Sequence, residues 1–166
     1  MPIPYRTTAR TADGTTAAYL CILEDADGKS VRGALFLTNE RSEPLDFCFN
    51  RVDLPASFLW RPGEARRHGA RALATSLFTA IGPTPDALLV HRDQVPAGLF
   101  TADIQVEIPT CTLASRGDQV DVSWVGGQPA GGSVARILLD ALVERGLVME
   151  PFERAARGLD EVYSAP

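Results

Sequence analysis

The sequence predicts an α/β domain built around one mixed β-sheet. Three observations carry that prediction. Three β-prone runs follow one another across short polar turns between residues 17 and 52. A uniformly apolar run at 87–90 follows a helical stretch, as an interior strand reached by a crossover does. Helical periodicity then closes the chain after Ser133. A chain of 166 residues normally makes one domain, able to bury about 70 % of its unfolded surface. A single domain is therefore expected, with its core in 17–114 and an added strand and two helices in 115–166.

The elements follow in order. Residues 1–14 are polar and rich in Pro and Thr, and read as a loose arm. Residues 17–24 (AAYLCILE) read as a strand apolar on both faces. Asp25-Ala26-Asp27-Gly28 reads as a turn, since Gly28 can take a positive φ. Residues 31–38 (VRGALFLT) are the second strand and 39–44 a polar turn. In 45–52 (LDFCFNRV), Leu45, Phe47 and Phe49 alternate with Asp46, Cys48 and Asn50, the pattern of a strand buried on one face only. Short turns make these three strands an antiparallel meander.

A helix comes next. Pro62 suits its first turn, Leu73, Leu77 and Ile81 repeat every fourth residue, and Gly82-Pro83 ends it. Residues 94–113 fit two patterns. Val95, Leu99, Ala102 and Val106 share a helical face, whereas Ile104, Val106 and Ile108 alternate as a strand does. A short helix near 95–102 followed by a strand at 108–113 is the preferred reading. Residues 119–125 are a further strand with Val120, Val122 and Trp124 inward. The glycine-rich loop 126–132 leads to a helix capped by Ser133, with a stripe of Val134, Ile137, Leu138, Ala141 and Leu142, ended by Gly146. A last helix, about 151–163, carries Phe152, Ala155, Leu159 and Val162; Gly158 weakens it.

Strand, strand, strand, helix, strand, short helix, strand is the element order of the ribonuclease H-like fold. The stretch Pro85-Asp86-Ala87-Leu88-Leu89-Val90-His91-Arg92-Asp93 resembles the fourth strand of endonuclease V-type proteins, where an acidic residue closes the strand. Ile108-Pro109-Thr110-Cys111-Thr112-Leu113-Ala114 resembles the strand that follows. The resemblance covers 17–114 at most, and fold does not imply function. It implies phosphodiester hydrolysis by metal ions held on carboxylates from the first strand, the fourth strand and a later helix. Two ions about 3.5–4 Å apart need several carboxylates converging on them. Asp93 matches the fourth-strand position. The middle of the first strand offers Tyr19, Leu20, Cys21 and Ile22 instead of an acid; Glu24 and Asp25 come only at its end. Asp140 and Glu144, four apart on a later helix, read as a solvated face.

Composition narrows the classes further. There are 16 Lys+Arg against 21 Asp+Glu, net −5, which opposes a general affinity for nucleic acid or anionic membrane. Cys21, Cys48 and Cys111 are odd in number and widely spaced, so neither a disulfide framework nor a structural zinc site is expected. No apolar run approaches the length of a membrane span and no signal peptide is visible, which points to a reducing cytosol.

Five constellations can be weighed against simpler readings. His91 and Asp93, two apart, would share a strand face and could serve as base or ligand; a strand end with an exposed acid is the plainer reading. Arg66, Arg67 and Arg71, with Arg61, gather at the start of the first helix as a patch for phosphate or an acidic partner, against the default of a solvated helix face. No aromatic residue interleaves with these arginines, so stacking on single strands is not suggested. Gly131, Gly132 and Ser133 end a loop spaced like a phosphate-binding loop, with Gly132 where the lysine should be. Asp25 to Gly28 opens like a calcium loop, but its twelfth position is Phe36. None of the serines sits in a nucleophile elbow. The expected function is a non-catalytic binding or assembly subunit with a degenerate ribonuclease H-like core, no cofactor and a protein partner. One alternative is a metal-dependent phosphodiesterase using Asp93, helped by His91, with Glu24 or Asp25 and Mg²⁺ or Mn²⁺. The other is anion or small-ligand binding at the loop Gly126 to Ser133, through Gly131, Gly132 and Ser133.

Overall fold

The computed structural model describes residues 3–6, 14–82 and 84–164. Ten regular elements run in the order β1 (Ile3–Arg6), β2 (Thr16–Glu24), β3 (Ser30–Asn39), β4 (Pro44–Asp53), α1 (Glu64–Ala80), β5 (Ala87–His91), β6 (Thr110–Arg116), β7 (Gln119–Trp124), α2 (Val134–Glu144) and α3 (Glu150–Ser164). The seven strands form one mixed sheet in the order β1-β4-β3-β2-β5-β6-β7. The meander β2-β3-β4 is antiparallel, β2 pairs with β5 in parallel, β5 with β6 in parallel, and β6 with β7 antiparallel. This is the predicted ribonuclease H-like order, extended by β1 at one edge and the hairpin strand β7 at the other.

Helices cover both faces, which explains why β2 and β5 read as continuously apolar. On one face Leu20, Ile22, Leu35, Leu88 and Val90 pack against Leu73, Ala74 and Leu77 of α1. On the other, Tyr19, Cys21, Phe36, Leu89 and Leu113 pack against Leu138 and Leu142 of α2 and Phe152, Ala155 and Leu159 of α3. Each large side chain so buried contributes about 1.5–3 kcal/mol. No helix among the described residues is long and apolar enough to cross a membrane.

Five expectations are corrected. Residues 3–6, expected within a loose arm, pair antiparallel with β4 from Ile3 opposite Phe49 to Arg6 opposite Asp46; they satisfy an edge whose N–H and C=O groups would otherwise stand open. Residues 7–13 lie outside the described residues. β4 is not half-buried: Asp46 and Cys48, expected outward, are 3 % and 1 % exposed. The α1 layer covers Cys48, and a register break between Leu37 and Thr38 turns Leu45 to the α1 side, away from Phe47 and Phe49. The short helix near 95–102 is a single π-type turn, Leu99–Asp103, entered through Gly98 at φ 84°. The strand expected at 108–113 starts two residues later and continues to Arg116. Helix α1 begins at Glu64, after Pro62, and ends at Ala80; Pro83 lies outside the described residues.

Candidate functional site

The carboxyl ends of β2 and β5 are where an open α/β sheet of this kind would hold a ligand. Alternation along β2 sends its two terminal acids to different partners. Glu24 meets Arg66 of α1, Oε2 to Nε 3.6 Å. Asp25 is 15 % exposed and lies between two guanidinium groups: Oδ1 is 3.4 Å from Arg32 Nε and Oδ2 is 3.0 Å from Arg51 Nε. The Ser30 hydroxyl also donates to Asp25 Oδ2 and accepts from Arg51. Arg32 reaches onward to Asp160 of α3, 2.8 Å away. Both Asp25 oxygens are thus committed to positive charge, and a divalent cation would have to displace two arginines to reach them.

The middle of β2 is equally unsuited to a cation. Tyr19 and Cys21 face α3, and burial pushes the Cys21 thiol up to about 12. Such a thiol is neutral and inert at neutral pH. Cys111 is the same, again through burial, and all three cysteines are buried.

His91 and Asp93 do not share a strand face, which corrects the expectation. β5 ends at His91 and the chain turns, closed by the Gln94 N–H to the His91 carbonyl at 3.0 Å. The backbone N–H of Asp93 donates to His91 Nδ1 at 3.2 Å, while the imidazole stacks edge-on against Phe152 at 5.8 Å. Asp93 is exposed in that turn. Among the described residues no group of three or more His, Cys, Asp or Glu is gathered to hold a metal ion.

The arginine patch divides. Arg67 grips Asp103 with two bonds, Nε to Oδ2 at 2.5 Å and Nη2 to Oδ1 at 2.7 Å, tying α1 to the π turn. The Arg67 hydrogen bonds hold the Asp103 carboxyl below the usual carboxylate range. Arg66 is engaged by Glu24, and Arg71 is exposed on the helix. Beside them lies a feature the sequence reading passed over. Phe58 and Leu59 stand 85 % and 73 % exposed on the single 3₁₀ turn Ser57–Leu59, and Trp60 packs on His68 with ring centroids 5.1 Å apart. Aromatic groups therefore do stand among these arginines. The available signal was three large apolar residues between Pro55 and Pro62 with neither helical nor strand period.

At the glycine loop the prediction of the cap is met: Ser133 Oγ accepts from the Arg136 N–H at 3.4 Å. The Ser133 N–H is spent on the Ala130 carbonyl at 2.9 Å. Gly126 and Gly127, at φ 76° and 110°, shape the turn out of β7. Gly131 and Gly132 are open, with no neighbour within 4 Å of where a Cβ would stand.

The chain matches no protein-family model and no curated protein. Among solved structures it is similar to the endonuclease V of Bacillus subtilis, at 13 % identity and a TM-score of 0.43, over 63 % of this chain and 45 % of that one. The chain thus spans less than half the length of that structure.

Proposed function

We propose that the protein is a non-catalytic binding subunit on a degenerate ribonuclease H-like core, of endonuclease V-like element order, whose partner is another protein. The observation that carries this reading is the state of Asp25. Asp25, just past the end of β2, is held by Arg32 and Arg51, and Glu24 meets Arg66, so that end of the sheet is built from ion pairs and not from converging negative oxygens. The exposed Phe58-Leu59 turn supports a binding role. Large apolar groups held on a short, stapled turn are the kind of anchor that partner proteins bury, because little conformational freedom remains to be lost.

Two measurements test the proposal. With Mg²⁺ or Mn²⁺ and single- or double-stranded DNA and RNA, the purified chain should cleave no faster than its Asp93→Ala variant. Metal-dependent cleavage that disappears in Asp93→Ala would overturn the reading and make the chain a phosphodiesterase. A protein recovered with the chain in stoichiometric amount should be lost on Phe58→Ser/Leu59→Ser at unchanged Tm. Recovery unaffected by that double variant would remove the turn from the interface.

A further inference from the structure

We propose that two copies of this chain pair through the open edge of β7, antiparallel and with Val122 on the dyad. β7 is the last strand of the sheet, so among the described residues one of its sides has no strand beside it. Its inner side is set by the bond from the Val125 N–H to the Thr110 carbonyl, 2.9 Å. Backbone groups alternate sides along a strand, so Gln119, Asp121 and Ser123 also face β6. The N–H and C=O groups of Val120, Val122 and Trp124 face outward.

Edges of this kind are usually blunted by proline, a bulge or an inward-pointing charge. β7 has neither proline nor bulge: its sequence is QVDVSW, its register against β6 runs unbroken from Trp124 opposite Cys111 to Gln119 opposite Arg116, and its one charge, Asp121, lies on the face away from α2 and pairs with Arg116. Side chains alternate as well. Val120 and Trp124 pack against the cluster that holds Ala135 and Leu138 of α2, which places Val122 on that same face, 40 % exposed. Val134 and Ile137 of α2, in the same helical layer, are 50 % and 58 % exposed.

The sequence of the strand selects the occupant and the register. With Val122 opposite Val122 of the second copy, Val120 falls opposite Trp124 and Asp121 opposite Ser123. All three outward-facing residues then lie in hydrogen-bonded pairs. The apolar face gains aromatic–aliphatic and valine–valine pairs, the contacts that stabilise neighbouring strands. On the other face the carboxylate, already 3.3 Å from Arg116 of its own chain, meets a hydroxyl. A shift that puts Asp121 on the dyad would set two carboxylates directly opposite. The strand is therefore complementary to itself in one register, as a two-fold interface requires.

The test uses the full chain. Light scattering after gel filtration, up to about 0.1 mM so that a micromolar dimer is nearly complete, should give twice 17.9 kDa. Val122→Pro removes an outward N–H and no bond to β6; it should give the monomer mass with unchanged far-ultraviolet circular dichroism. If that variant loses its fold, Val122→Cys decides. Bonded antiparallel partners stand about 5.5 Å apart at Cα, within disulfide reach, so mild oxidation should link two Val122→Cys chains faster than two Asp121→Cys chains. Phe58→Ser/Leu59→Ser should leave the dimer intact. A wild-type monomer throughout that range, a dimer that survives a folded Val122→Pro, a dimer lost in Phe58→Ser/Leu59→Ser, or faster linkage through position 121 would each overturn the proposal.

Discussion

Gly158 lies within α3 at the point where the helix crosses Phe47. A Cβ there would stand 2.9 Å from Phe47 Cζ. That ring is itself hemmed in by Phe36 and Phe49, with centroids at 5.8 and 5.9 Å. From sequence the glycine reads only as a helix weakness, and replacing it by alanine should gain about 0.8–1 kcal/mol of propensity. Overpacking a filled site costs about 1–3 kcal/mol. The second effect wins, and Gly158→Ala should destabilise the protein by about 1 kcal/mol in urea unfolding; a gain in stability would show that the ring moves aside. Asp103 makes a prediction about acid. Its carboxyl lies below its ordinary value in the folded chain, chiefly through the Arg67 hydrogen bonds. The unfolded chain therefore takes up the proton first as pH falls. Stability from this pair is complete above the ordinary carboxylate pKa, about 3.9, and is lost as pH drops through the folded value. Asp103→Asn should flatten that acid limb when unfolding free energy is measured from pH 6 to pH 2.

At the scale of elements, the π turn Leu99–Asp103 depends on Gly98, whose φ of 84° lies in the left-handed region. An alanine side chain would find room there, with Thr101 Oγ1 at 3.6 Å and Arg67 Nη2 at 3.8 Å, so the backbone alone decides. Gly98→Ala should cost about 1–2 kcal/mol and speed amide hydrogen exchange at 99–103. That segment was the ambiguous one in the sequence, and its geometry shows why. Its shape is set by Gly98 together with an ion pair between residues 36 apart, and neither leaves a mark on hydrophobic period. The meander and the 87–90 strand were legible because their signals are local. The buried second face of β4 was not, since it exists only once α1 has docked over Cys48. The site divides in the same way. The lack of an acid in the middle of β2 could be read directly. The arginines that take up Asp25 and Glu24 could not, because Arg32, Arg51 and Arg66 approach them only through the pairing of β2, β3 and β4 and the docking of α1.

The whole molecule has two cores separated by one sheet. Leu73 of α1 belongs to one and Leu159 of α3 to the other, and both are fully buried. The strands between them are shared: Tyr19 faces α3 while its neighbours Ala18 and Leu20 face α1. Neither layer can leave without exposing one side of β2, β3 and β5, so the two cores should unfold together. Leu73→Ala and Leu159→Ala should each cost about 2–5 kcal/mol through lost burial and a residual cavity. Each should also give a single urea transition with the wild-type m-value, followed alike by far-ultraviolet circular dichroism and by tryptophan fluorescence from Trp60, on the α1 side, and Trp124, beside α2. An intermediate in Leu159→Ala alone, with α3 released while α1 stays docked, would show that the α2–α3 layer is a separate cooperative unit.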